Sequence, residues 1–89
     1  MIINLINKEL KEIFIKYLNL ELSYFSRFSF DGDNIILISE LHLDLLDEFE
    51  LIKKIENRFS ILLETDILEK YNTFYLLSKH IYELLNERR

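Results

Sequence analysis

Acidic side chains concentrate between residues 44 and 56, where their carboxylates could attract and orient a basic partner. The set comprises Asp44, Asp47, Glu48, Glu50 and Glu56. Carboxylates on one helix can speed the encounter with an arginine-rich surface without requiring a large buried area. For any one of them alone, an ordinary solvated helix face is the simpler interpretation. Lys53 and Lys54 interrupt the set and would weaken attraction to some basic partners, which favours selectivity.

Residue types that perform catalysis or bind metals are sparse. The chain has no cysteine, which excludes a thiolate nucleophile, a disulfide framework and a cysteine-based zinc site. His42 and His80 are far apart in the sequence and lie in no metal-binding pattern. The acidic turn at 31–34 lacks the spaced ligands and the closing glutamate of a calcium loop. We therefore expect no enzymatic activity, no metal and no bound cofactor.

Length and composition predict one small domain, residues 1–89, in the cytoplasm. Hydrophobic residues make up 49% of the chain, too many for a disordered polypeptide. The net charge of −5 disfavours nucleic-acid backbones, which need a clustered positive surface. Arg88 and Arg89 are concentrated positive charge, but a solvated tail is the simpler interpretation. No apolar run approaches the roughly 18 residues of a spanning helix, and residues 1–4 lack the basic region and cleavage site expected of a secretory signal.

Apolar periodicity predicts helices at both ends of the chain. The first segment carries one apolar face, with Asn4 or Asn7 as a possible N-cap and a favourable pair between Glu12 and Lys16. That face consists of Ile6, Leu10, Ile13, Phe14, Tyr17 and Leu18. The last helix should begin after Thr73. Its inward residues are predicted to be Phe74, Leu77, Ile81, Leu84 and Leu85.

The middle of the chain predicts a long helix, a short one and an uncertain segment. Asp44 is the expected N-cap of the long helix, and residues 66–71 should form one or two helical turns. The long helix is predicted to bury Leu46, Phe49, Ile52, Ile55 and Phe59. Residues 24–30 alternate, Asp31-Gly32 is a favoured turn and residues 35–38 form a β-branched run, a pattern typical of a β-hairpin. A hairpin and an irregular loop are equally compatible with this segment.

The segment 40–51 resembles the carrier site of acyl carrier proteins. The family pattern has Asp-Ser-Leu-Asp, one intervening residue, an apolar residue, Glu and Leu. The matching positions here are Asp44, Leu46, Asp47, Phe49, Glu50 and Leu51. Residues 59–66 are similar to the family's end of helix II, and residues 67–74 to its short third helix. The resemblance covers about residues 6–85 in organisation and 40–81 position by position.

The chain departs from the family at the residue that carries the chemistry. In the family, the serine hydroxyl forms a phosphodiester with 4′-phosphopantetheine, whose thiol carries the acyl group. Leu45 occupies that position and has no oxygen to be modified. Glu64 stands where the family has proline, and the segment between Leu18 and Asp44 is longer than expected. The resemblance therefore implies recognition by a partner without phosphopantetheine attachment.

The resemblance implies an all-α, four-helix acyl-carrier-like bundle with a short third helix and an enlarged first loop. Its expected function is protein–protein interaction in carrier-dependent biosynthesis of fatty-acid, polyketide or peptide type. The expected contact residues are Asp44, Leu45, Asp47, Glu48, Glu50 and Glu56, facing a basic patch on an enzyme. Leu45 could be exposed beside Leu41 and Leu43, or it could be buried under the lengthened loop.

Three alternatives remain open at this stage. The chain could be a genuine carrier of a specialised pathway that is modified at an unexpected residue. It could be a small acidic immunity or antitoxin-type protein that neutralises a basic toxin. Its core could also hold a free fatty acid, unless the aromatic residues Phe49, Phe59, Phe74 and Tyr75 fill that space. The sequence does not specify the oligomeric state.

Overall fold

Five helices make up the regular structure of the described part of the chain. The computed structural model describes residues 2–21 and 35–87. The helices are α1 (Ile3–Leu18), α2 (Leu37–Glu40), α3 (Leu45–Phe59), α4 (Ile67–Lys70) and α5 (Phe74–Glu87). Within those residues there is no β-strand, so the all-α prediction is confirmed. The predicted count of four helices was one too low.

Helix α1 buries the face that its sequence predicts. Ile6, Leu10, Ile13 and Phe14 are buried, and Tyr17 and Leu18 are partly buried. The proposed asparagine cap was wrong, because Asn4 and Asn7 lie inside the helix and the N-cap is Ile2, which provides no side-chain hydrogen bond. The predicted pair between Glu12 and Lys16 is also absent among the described contacts, since Glu12 instead approaches Arg58 at 3.9 Å.

Helix α2 occupies part of the segment that predicted a hairpin. The hairpin alternative is wrong for 35–38, because Leu37 and Ile38 form the start of a helical turn. Leu37 is fully buried, and its backbone N–H donates to the carbonyl oxygen of Asn72 at 2.8 Å. This long-range bond fixes the turn against the segment that precedes α5. The rest of the proposed hairpin, 24–34, lies outside the described residues.

Helix α3 begins where predicted but buries a different face. Leu51, Ile52, Ile55 and Phe59 are buried, whereas Leu46 and Phe49 are exposed. The prediction that those two residues are buried was therefore wrong. A residue advances about 100° around a helix, so three successive spacings of three residues turn the stripe by roughly 180°. Leu46 consequently lies opposite Ile55, although each single step looks helical.

The short and the last helices match the sequence predictions closely. Helix α4 follows Asp66, and α5 begins directly after Thr73. The Thr73 hydroxyl oxygen accepts the backbone N–H of Leu76 at 3.1 Å, which is the expected capping bond. Of the five residues predicted to face inward on α5, the first three are buried, which confirms the prediction there, and the last two are partly buried. Those positions are Phe74, Leu77, Ile81, Leu84 and Leu85.

The core lies where α1 packs against both α3 and α5. The rings of Phe14 and Phe74 meet edge to face, with centroids 5.0 Å apart and an interplanar angle of 79°. Such aromatic pairs stabilise a core beyond the area that they bury. At the surface, Arg58 of α3 donates to Glu9 of α1 at 3.0 Å and 3.3 Å. No helix in the described ranges is both long and apolar enough to cross a membrane.

Helices α1, α2 and α3 all end through a residue with a positive φ angle. Asn19, His42 and Ser60 have φ of 55°, 53° and 54°. The backbone N–H groups that follow them return to carbonyl oxygens five residues earlier, as in Leu20 to Ile15 and Leu43 to Ile38. This geometry satisfies the last carbonyls of a helix and usually uses glycine. The chain has only one glycine, so asparagine, histidine and serine take these positions at some cost.

Candidate functional site at the start of helix α3

A capping box fixes the first turn of α3. The Asp44 carboxylate accepts the backbone N–H of Asp47 at 2.8 Å, and the Asp47 carboxylate accepts the backbone N–H of Asp44 at 3.1 Å. These two bonds satisfy groups that a helix start otherwise leaves free. The predicted N-cap is therefore confirmed. Leu45, the residue at the family's serine position, becomes the first residue of the helix.

Three large apolar side chains at this end of α3 face solvent. Leu45 is 69% exposed, Leu46 65% and Phe49 46%. Phe49 lies four residues after Leu45 and three after Leu46, so the three side chains are neighbours on one side of the helix. We call these three residues the apolar patch. The structure thus resolves the earlier alternative for Leu45, which is exposed rather than buried, whereas Leu43 beside it is buried.

The Asp47 carboxylate has a structural role in addition to its place in the capping box. Its second oxygen accepts the Tyr17 hydroxyl at 3.1 Å, which joins α1 to the start of α3. Burial raises the pKa of the Tyr17 hydroxyl, and so do the hydrogen bond to Asp47 and the negative charges nearby. Both oxygens of Asp47 are therefore engaged within the fold. A partner would meet a carboxylate whose position is already set.

Glu48 lies on the buried side of α3. Only 7% of this residue is exposed, so most of its side chain is covered by the fold. Burial raises the pKa of Glu48, and the negative charges of Glu69 and Asp44 raise it further. The structure therefore separates Glu48 from the other predicted contact residues. The missed sequence signal is its spacing, since Glu48 stands three, four and seven residues before Leu51, Ile52 and Ile55.

The remaining predicted contact residues lie farther along α3. Glu56 accepts the backbone N–H of Leu63 at 2.7 Å and so holds the loop that follows the helix. Glu50 is partly exposed, and no hydrogen bond or ion pair engages its carboxylate among the described residues. Lys53 and Lys54 are exposed. The negative charge available near the apolar patch thus comes from Asp44 and Glu50, with Asp47 beside them.

The aromatic residues that could have lined or filled an acyl cavity divide into two groups. Phe59 and Phe74 are buried and belong to the core, and Phe74 packs on Phe14. Phe49 and Tyr75 are exposed, so they do not fill the interior. The described residues contain no group of histidine and acidic side chains able to hold a metal ion.

Comparisons with protein-family models, with curated proteins and with solved structures found no match to this chain. The resemblance to acyl carrier proteins therefore rests on the sequence motif alone and stays a prediction.

Proposed function

We propose that this chain is a protein-binding module that resembles an acyl carrier protein and carries no acyl group. The observation that supports this proposal is Leu45, a hydrocarbon side chain exposed at the first position of α3, directly after the capping Asp44. An attachment serine would need the same placement. Here the position offers apolar contact area in place of a nucleophilic oxygen.

The apolar patch is suited to anchoring a partner. Large apolar groups that are buried on binding contribute most of the affinity of an interface, whereas charges at the rim mainly steer and orient. Asp44 and Glu50 provide negative charge beside the patch. The partner surface would be an apolar depression with basic residues around it, on an enzyme of carrier-dependent biosynthesis.

The loss of the carrier function is tested by intact-mass measurement after incubation with coenzyme A and a broad phosphopantetheinyl transferase. The natural chain should show no added mass, and Leu45→Ser should gain one phosphopantetheine if the transferase still recognises α3. Added mass on the natural chain would refute the proposal, and peptide mapping would then locate the modified residue.

The docking surface is tested with a partner isolated from the native host and titrated by calorimetry. Leu46→Gln combined with Phe49→Gln should weaken binding at least tenfold, or about 1.4 kcal/mol. Leu62→Gln is the matched control, because Leu62 is 89% exposed in the loop after α3. Equal losses in both variants would argue against the patch. A tight complex with a basic toxin, without binding to carrier-dependent enzymes, would instead identify an immunity or antitoxin-type protein.

A further inference from the structure

A groove runs between α1 and α3, on a different side of α3 from the apolar patch. It is open to solvent and has a volume of about 600 Å³. Its lining combines an apolar floor, an aromatic ring and basic side chains. The lining residues are Ile13, Lys16, Tyr17, Lys54, Asn57 and Arg58.

The basic lining is unexpected in a chain with a net charge of −5. Three cations converge on the groove, one from α1 and two from consecutive turns of α3. Lys54 and Arg58 are four residues apart, a spacing at which like charges repel on a helix surface. A bound anion beside Lys54 would reduce that repulsion.

Two of these cations remain available for a ligand. The Lys54 ammonium lies 5.8 Å from the centroid of the Tyr17 ring, toward α1. Glu50 lies four residues before Lys54, yet no ion pair joins them in the described part of the chain. Lys16 likewise forms no ion pair with a described residue. Neither ammonium group forms an ion pair with a described residue, and that of Lys54 lies over the Tyr17 ring.

Arg58 is partly compensated and is held in place. Its guanidinium donates to Glu9 at 3.0 Å and approaches Glu12 at 3.9 Å, while its side chain stays 48% exposed. These carboxylates reduce its attraction for an anion but also fix its position at the edge of the groove. A smaller cavity of about 240 Å³ adjoins the groove at Ile13, Lys16 and Arg58, and is also lined by Glu12 and Ile15.

We infer that this groove binds a small phosphate ester. The phosphate would lie between Lys16 and Lys54. Two ammonium groups can balance the double negative charge of a phosphate ester, which makes it a better ligand here than a singly charged carboxylate. The apolar part of the ester would lie against Ile13 and the Tyr17 ring. This inference concerns a separate surface and does not depend on the proposed function.

The test is an NMR titration of the full chain with 1-naphthyl phosphate as the probe. Inorganic phosphate provides the charge alone, and 1-naphthol provides the ring alone. We expect the ester to bind more tightly than either and to shift the amide signals of residues near 13–17 and 54–58. Shifts centred on 45–49, or equal affinity for inorganic phosphate and the ester, would overturn the inference.

A pair of variants separates a specific site from general electrostatic attraction. Lys54→Gln should weaken binding of 1-naphthyl phosphate by about fivefold or more, since it removes one direct charge contact. Lys53→Gln makes the same change in net charge at the neighbouring exposed residue and should change the affinity by less than about twofold. Equal effects of the two substitutions would refute the site.

Discussion

The rotation of α3 about its own axis can be tested by removing the same side chain from opposite sides of the helix. Leu51 is fully buried, and Leu46 is 65% exposed. Replacing either residue with alanine deletes the same three carbon atoms from the same helix. Any difference in the free energy of unfolding then reports the surroundings of each side chain.

The expected difference follows from the burial of the two residues. For Leu51→Ala, the lost transfer free energy and the cavity together should cost about 3 kcal/mol, within the usual range of about 2–5 kcal/mol. For Leu46→Ala, only about a third of the side chain leaves contact, which costs roughly 0.7 kcal/mol. The higher helix propensity of alanine, about 0.2 kcal/mol, applies to both variants and cancels in the comparison. The two variants should thus differ by roughly 2.3 kcal/mol.

Urea denaturation followed by far-UV circular dichroism measures both values. An 89-residue domain has a total stability of about 4–13 kcal/mol, so Leu51→Ala should remain folded at low temperature but melt roughly 12–24 °C earlier. Equal costs, or a larger cost for Leu46→Ala, would show that α3 buries the face predicted by the spacing of three. That result would also remove the basis of the apolar patch.

Three further predictions concern charges and helix ends. Because folding raises the pKa of Glu48, its contribution to stability falls as pH rises from the ordinary carboxyl value through the raised one. Glu48→Gln should therefore raise the urea midpoint near neutral pH, and the gain should vanish below the ordinary pKa; a gain that persists in acid would contradict this cause. Ser60→Gly should stabilise the chain by about 0.5–1 kcal/mol in thermal unfolding, because glycine adopts a positive φ without strain. Asn19→Gly should stabilise it less, because asparagine tolerates a positive φ better than serine does. Asp44→Ala should cost about 1 kcal/mol in the same assay and Asp44→Asn clearly less, since asparagine can still cap; equal losses would point to the charge instead.

Local signals in the sequence were sufficient to predict where α3 and α5 begin. Asp44 and Thr73 accept backbone N–H groups three residues later, and both bonds lie within a single turn. Such bonds depend on neighbouring residues alone, so the sequence specifies them. The cap also sets Leu45 as the first residue of α3, so its position in the helix could be predicted. Its exposure could not be predicted, because that depends on how distant parts of the chain pack around it.

Features that depend on distant residues could not be predicted in the same way. The hydrogen bond from Tyr17 to Asp47 spans 30 positions, and the bond from Leu37 to Asn72 holds a helical turn where a short β-branched run favours a strand. Four residues are too few for periodicity to separate a strand from a buried helical turn. The groove beside Tyr17 likewise exists only because α1 and α3 pack together.

The orientation of α3 buries most of Glu48 and exposes three large apolar side chains, the reverse of what stability alone favours. Rotating the helix to bury Leu46 and Phe49 would expose Leu51 and Ile55, which are fully buried in the core. The later turns of the helix therefore fix its orientation, and the first turn must accept the result. Burial of Glu48 opposes folding, while exposure of the apolar patch leaves hydrophobic free energy unused in the isolated chain. A partner that covers the patch would recover that free energy, which is the physical reason to look for function at this end of α3.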